Sequence, residues 1–340
     1  MKSPQELTVI IRLAKTVMLL FALFIVFATA TLILYKNPSI LSKKEGMTAV
    51  PENKIQLWQA PDRSTVPDNE EGKLIQYGEE LVARTASFIG PQGSLSKNAN
   101  GMNCQNCHLN AGTKPYGNNF GSVASTYPKF RARSGTLESI EKRVNDCIER
   151  SLNGSPFDSL SREMRGIVAY MHWLGKDVPK GQKAPGSGLF ELKWMDRVAN
   201  LKTGKRLYLQ KCQVCHGNAG EGQKLSANSN YIYPPLSGEN SFTTGAGLFR
   251  ISNFARYIYA NMPHGATYEK PVLSEQESWD IAAYVLSLPR AKKDFNNDWP
   301  RLATKPVDHP YGPYADSFSE DQHKYGPFEP IEKFYQTQKQ

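Results

Sequence analysis

The chain has 340 residues, 40% of them apolar and 21% charged, with a formal net charge of +9. That length suits two globular domains rather than one, and the apolar share is enough for two cores. The positive balance suits an anionic small molecule or an acidic protein partner. No basic run with interleaved aromatics is present, which argues against nucleic acid.

Residues 1–35 carry a basic flank, Lys2, Arg12 and Lys15, and then an apolar run from Val17 to Tyr35 broken only by Thr29 and Thr31. This reads as an export signal. The run is long enough to span a bilayer, which favours an uncleaved anchor. Ala28-Thr29-Ala30 leaves a cleaved signal peptide as the alternative. In both readings the basic end stays inside and the remainder is exported. Residues 36–72 are polar and Pro-containing and read as a tether.

The spacing of Leu74, Tyr77, Leu81, Val82 and Thr85 predicts a helix over Lys73–Phe88, opening a first domain over 73–175. Residues 176–188 form a linker by their Gly and Pro content. A second domain follows over 189–290, with helical spacing over Arg197–Gln210. An internal repeat relates the two: Ile167-Val168-Ala169-Tyr170 echoes Ile281-Ala282-Ala283-Tyr284. Each copy follows a helix-capping start, Ser161-Arg162-Glu163 or Ser274-Glu275-Gln276. The tail, 291–340, is rich in Pro, Tyr and charge without clear periodicity and reads as an extended segment.

Four of the five cysteines stand in two Cys-x-x-Cys-His runs, Cys104-Gln105-Asn106-Cys107-His108 and Cys212-Gln213-Val214-Cys215-His216. Two cysteines one helical turn apart reach the two vinyl groups of a haem c as thioethers, and the following His offers its nitrogen to the iron. A zinc site or a redox dithiol does not account for a His after both pairs in an exported chain. Two covalently bound haems c are therefore expected, with His108 and His216 as iron ligands. Pro115 and Pro234 are candidates for the carbonyl that orients each proximal His. Helix, haem motif, long loop and helix in each half predict an all-α protein. It would consist of two class I cytochrome c-like domains in tandem after an N-terminal membrane segment.

The sixth ligand of the second iron is read as Met262, in a loop before the last helix and followed by Pro263. A core Met and His264 are the alternatives. The repeat then puts Cys147 at the corresponding position of the first half, where no Met stands. A thiolate there stabilises ferric iron, so the two centres would differ in potential, and it is also a nucleophile able to exchange with sulfur species. An inert buried thiol and a thiol paired with another chain remain as alternatives. Lys129, Arg131, Arg133, Lys142, Arg143 and Arg150 crowd around Cys147 in sequence. Arginine suits bidentate binding of tetrahedral oxyanions, although a solvated basic face has the same composition.

On these residues the chain resembles the dihaem thiosulfate dehydrogenases, over about residues 73–290. The resemblance implies that Cys147 ligates the active-site haem and is required for turnover. It also implies that Arg143 and Arg133, four and fourteen residues before it, line the substrate pocket. The implied reaction joins two thiosulfate ions into tetrathionate, or runs in reverse, with electrons passing to a soluble or membrane-bound cytochrome. The implied site of action is the periplasm, with a tether to the inner membrane. Some relatives carry Lys beside the second-haem Met; Asn261 stands here, so a fixed His/Met second centre is expected. The competing reading is a dihaem electron-transfer cytochrome without substrate chemistry of its own, and a third is a Sox-like cytochrome acting on a sulfur-carrier protein.

Overall fold

The computed structural model describes residues 4–36, 56–227, 229–293 and 296–338. Pro4–Lys36 forms one helix, α1. Within it Lys15–Lys36 is long and apolar enough to cross a membrane, with a mean hydropathy of 2.8. Thr16, Thr29 and Thr31 satisfy their hydroxyls on carbonyls one turn back, which lets them persist in an apolar helix. Most of the expected tether, residues 37–55, lies outside the described residues. The remaining described chain belongs to a second unit, Gln56–Gln340.

That unit is built on helix crossings. Helix α2 runs Glu70–Ala83, starting before the expected Lys73 because Asn69 accepts the Gly72 N–H and Glu70 and Glu71 complement the helix dipole. It breaks at Arg84, and a separate short turn of helix covers Thr85–Ile89. A short hairpin follows, β1 (Lys129–Arg131) against β2 (Thr136–Glu138), antiparallel with Lys129 opposite Glu138. Then come α3 (Ile140–Arg150) and α4 (Arg162–Leu174), each capped by the preceding serine, Ser139 and Ser161. The second half repeats the plan with α5 (Leu201–Lys211), α6 (Ile251–Asn261) and α7 (Glu275–Ser287).

The two outer helices of each half cross at a glycine. A Cβ on Gly78 of α2 would stand 1.9 Å from the Gly166 carbonyl oxygen of α4, and one on Gly204 of α5 would stand 1.9 Å from the Asp280 carbonyl oxygen of α7. Any side chain would push the axes apart, so the repeat lies in the crossing as well as in the sequence. Leu81, Met164, Tyr170 and Leu174 are buried about the first crossing and Tyr208, Trp279 and Ile281 about the second. Each such side chain contributes about 1.5–3 kcal/mol by leaving water.

The tail departs from the extended form expected for 291–340. It holds two short helices, α8 (Glu320–Tyr325), capped by Ser319, and α9 (Glu329–Thr337). Six and nine residues are too few to display a helical period in the sequence. Phe328 and Ile331 of this segment are fully buried. Asp308 is fully buried as well, and accepts hydrogen bonds from Arg250 Nε at 2.8 Å and Nη2 at 2.6 Å and from the Ser252 N–H at 3.1 Å.

Candidate active site and haem cavities

Cys104, Cys107, His108, Arg131, Arg143 and Cys147 line one cavity in the first half, closed by apolar side chains such as Phe120, Val144 and Met171. Helix α3 delivers two of these groups. Arg143 and Cys147 are one turn apart and share a face, with the Arg143 Nη1 3.0 Å from the Cys147 Sγ. Val144 and Ile148 on the same helix are buried and fix its rotation. Lys142 instead pairs with Asp146. Burial alone would push the Cys147 thiol up. The Arg143 guanidinium and a hydrogen bond with His108 outweigh burial and bring it down to about 6. Sulfur and imidazole thus meet within one cavity.

The His108 ring is oriented by a backbone carbonyl, but not that of Pro115. Its Nδ1 lies 2.6 Å from the Asn118 oxygen. Four residues of this loop, Asn110, Ala111, Tyr116 and Asn118, have positive φ. The chain therefore coils more tightly than counting residues to a proline suggests, and a later carbonyl arrives at the ring. The Phe120 ring packs 4.5 Å from the His108 ring.

Cys212, Cys215, His216, Met262 and His264 line a second cavity. Here the expected carbonyl is the one used: His216 Nδ1 lies 2.8 Å from the Pro234 oxygen. Met262 ends α6 as its C-cap, whereas Cys147 lies inside α3. The repeat therefore aligns the two positions along the chain but not within their helices. The first motif also reaches this cavity, since Asn106 and Cys107 line it, and the Tyr257 hydroxyl of α6 donates to the Asn106 carbonyl at 2.6 Å. The Asn261 amide donates to the Tyr116 carbonyl at 3.1 Å. Neither bond was visible in the sequence, because each joins residues some 150 positions apart.

Arg133 and Arg143 do not line the same cavity. Arg133, in the turn between β1 and β2, lines a separate space walled by the tail. Its guanidinium lies 5.8 Å from the centre of the Trp299 ring. Burial, with Arg150 and Arg143 nearby, lowers its pKa to about 10.

The donor sets fit haem c at both positions. Each cavity holds a thiol pair and an imidazole whose Nδ1 is bound to a carbonyl, which leaves Nε2 for iron. All five cysteines are free thiols, so none of the four in the motifs is diverted into a disulfide. Two such cavities in a helical frame with crossing terminal helices define a c-type cytochrome with two haems.

Residues 94–179 match the SoxA/TsdA cytochrome c domain and residues 201–289 match the cytochrome c domain. The chain is 39% identical over 244 residues to a thiosulfate dehydrogenase of Psychrobacter arcticus, covering 71% of each chain. It is 35% identical over 238 residues to that of Allochromatium vinosum, covering 68% of this chain and 83% of the relative. A solved thiosulfate dehydrogenase (TsdBA) from Marichromatium purpuratum, in its as-isolated form, superposes with a TM-score of 0.65 at 25% identity. That match covers 80% of this chain and about half, 54%, of the solved one. The chain belongs to the thiosulfate dehydrogenase family. It is an oxidoreductase with two c-type haems.

Proposed function

We propose that the chain oxidises two thiosulfate ions to tetrathionate at the Cys147 cavity and that the same steps run backwards reduce tetrathionate. The observation that carries this reading is the 3.0 Å contact between Arg143 and Cys147 in the cavity that also holds His108. An uncommitted electron carrier has no need of a guanidinium held against its thiol sulfur. Haems c held by Cys104, Cys107 and His108 and by Cys212, Cys215 and His216 would supply two one-electron acceptors, from which the electrons would go on to a cytochrome.

The protein's own groups act on the sulfur. The Cys147 thiolate and the outer sulfur of one thiosulfate lose two electrons and join, leaving a Cys–S–S–SO3⁻ group. A second thiosulfate attacks the sulfur bonded to Cys147. A new S–S bond forms, the bond to Cys147 breaks, tetrathionate leaves, and the thiolate is restored. Charge and electrons balance: two dianions become one dianion plus two electrons. Arg143, in contact with the Cys147 sulfur, offsets the repulsion between the two anions, and Arg133 adds positive charge from the neighbouring space. Met262 and His216, which line one cavity, would hold the second haem iron, and Asn261, bound to the Tyr116 carbonyl, is committed elsewhere. An exported position, in the periplasm and held to the inner membrane by α1, agrees with haem c chemistry and with the apolar span Lys15–Lys36.

Replacing Cys147 by Gly tests this. Thiosulfate-dependent reduction of an acceptor should fall at least roughly a thousandfold while both haems stay attached. Near wild-type turnover by the fully loaded variant would sink the reading.

A further inference from the structure

The loop that carries the first haem motif is also a wall of the second cavity. Asn103, Cys104 and His108 line the first cavity, whereas Met102, Gln105, Asn106, Leu109 and Asn110 line the second. Cys107 lines both. The chain turns tightly here: Cys104–Asn106 is a single 3-10 turn, and the Asn106 side chain accepts the Asn103 N–H at 2.7 Å. Neighbouring residues of one turn therefore face different spaces.

Helix α6 of the second half is fastened to this wall. The Tyr257 hydroxyl donates to the Asn106 carbonyl at 2.6 Å, and Tyr257 lines the second cavity together with Met262. Tyr257 is 5% exposed, so little water competes for that bond, and Phe254 and Ile258 are buried with it and fix the rotation of the helix. Burial holds the hydroxyl well above its ordinary pKa of 10, so it keeps its proton and donates. The Asn106 carbonyl carbon is bonded to the Cys107 nitrogen, and Cys107 is one of the two attachment points for the first haem. A few covalent bonds and one short hydrogen bond thus lead from that attachment point to a ring in the wall of the second cavity.

We propose that Tyr257 is the bridge by which an electron passes from the first haem site to the second. The redox chemistry belongs to the cofactor, and the protein contributes how the two sites are placed and connected. A path through bonded atoms and a close hydrogen bond couples them better than a gap between side chains. One electron crosses in each transfer, leaving a ferrous iron ferric at the first site and a ferric iron ferrous at the second. No proton moves with it, because the Tyr257 hydroxyl retains its own. The same bond fixes α6, whose C-cap is Met262, against the first motif. The bridge concerns two c-type haem sites in one chain and stands apart from the identity of the oxidised substrate.

The test uses the full dihaem chain without substrate. Tyr257→Phe keeps the ring and removes the hydroxyl. One lost hydrogen bond is a small share of the stability of a folded domain, so the variant is expected to fold. The Soret absorbance checks that both haems are attached, and a spectroelectrochemical titration reads their midpoint potentials. Flash reduction of the oxidised protein by substoichiometric photoexcited flavin then follows the electron as it redistributes between the haems. Tyr257→Phe should slow that redistribution severalfold while both midpoint potentials stay at their wild-type values. Tyr257→Leu, a second variant without the hydroxyl, should slow it at least as much. A wild-type rate in either variant overturns the bridge, and so does a slower rate that follows entirely from shifted potentials. A chain whose haems exchange electrons through Tyr257 but that never oxidises thiosulfate keeps the bridge and overturns the thiosulfate reading instead.

Discussion

Replacing Arg143 by Gln removes the one positive charge in direct contact with the Cys147 sulfur. The guanidinium nitrogen lies 3.0 Å from that sulfur. Unit charges at such a distance attract by ~5 kcal/mol at an effective dielectric of about 20. The pair is half-buried, so water returns part of that and leaves about 3–4 kcal/mol for breaking it. On the proposed reaction the same charge would also hold the anionic sulfur group formed on Cys147. A loss of about 3–4 kcal/mol corresponds to a fall in kcat/KM of roughly two to three orders of magnitude. Arg143→Lys keeps the charge but loses the planar fork, and should lie roughly tenfold below wild type. The assay is steady-state thiosulfate oxidation with a reducible dye or cytochrome, on protein shown to carry both haems. A Gln variant within threefold of wild type refutes the reasoning, because the contact would then contribute nothing to the chemistry.

Two predictions concern the frame around the site. The Asp308 carboxylate is held below its ordinary pKa of 3.8: burial would raise it, but Arg250 and Ser252 outweigh burial. Its contribution to stability is therefore complete above about pH 4 and is lost as pH falls through the lower folded pKa. Asp308→Asn should destabilise the protein at neutral pH by about 3–5 kcal/mol and flatten the acid limb of its unfolding profile below about pH 4, read by urea unfolding across pH. At the second helix crossing, Gly204→Ala should lower stability by about 1–3 kcal/mol, since the new methyl meets the Asp280 carbonyl. In an exposed helix the same change adds about 1 kcal/mol, so a gain in the unfolding midpoint would contradict the crossing.

The haem chemistry was legible because it depends on local spacing. Two cysteines, two intervening residues and a histidine specify thioethers and a ligand within one turn, and the structure gathers each set into one cavity. The repeat also led to Cys147, since capped, periodic helices survive in sequence. Three features did not. The Asn118 carbonyl replaces Pro115 because positive-φ residues tighten that loop, and side-chain identity alone does not specify those angles. Arg133 and Arg143 look like neighbours along the chain, but a hairpin turn and a helix send them to different cavities. The tail cavity depends on pairs such as Arg150 with Asp298 and Arg250 with Asp308, across 148 and 58 residues. Nothing in local pattern announces them.

The central proposal is that Cys147 and His108, which share one cavity, would both serve as ligands to the iron of the first haem. Electron paramagnetic resonance of the oxidised protein, compared with its Cys147→Gly variant, tests this most directly. Two distinct low-spin ferric signals are predicted in the wild type, one of them with the character of thiolate ligation. That signal alone should be lost in the variant, while the one from the His216 and Met262 centre is unchanged. A wild-type spectrum unaffected by the substitution would contradict the account.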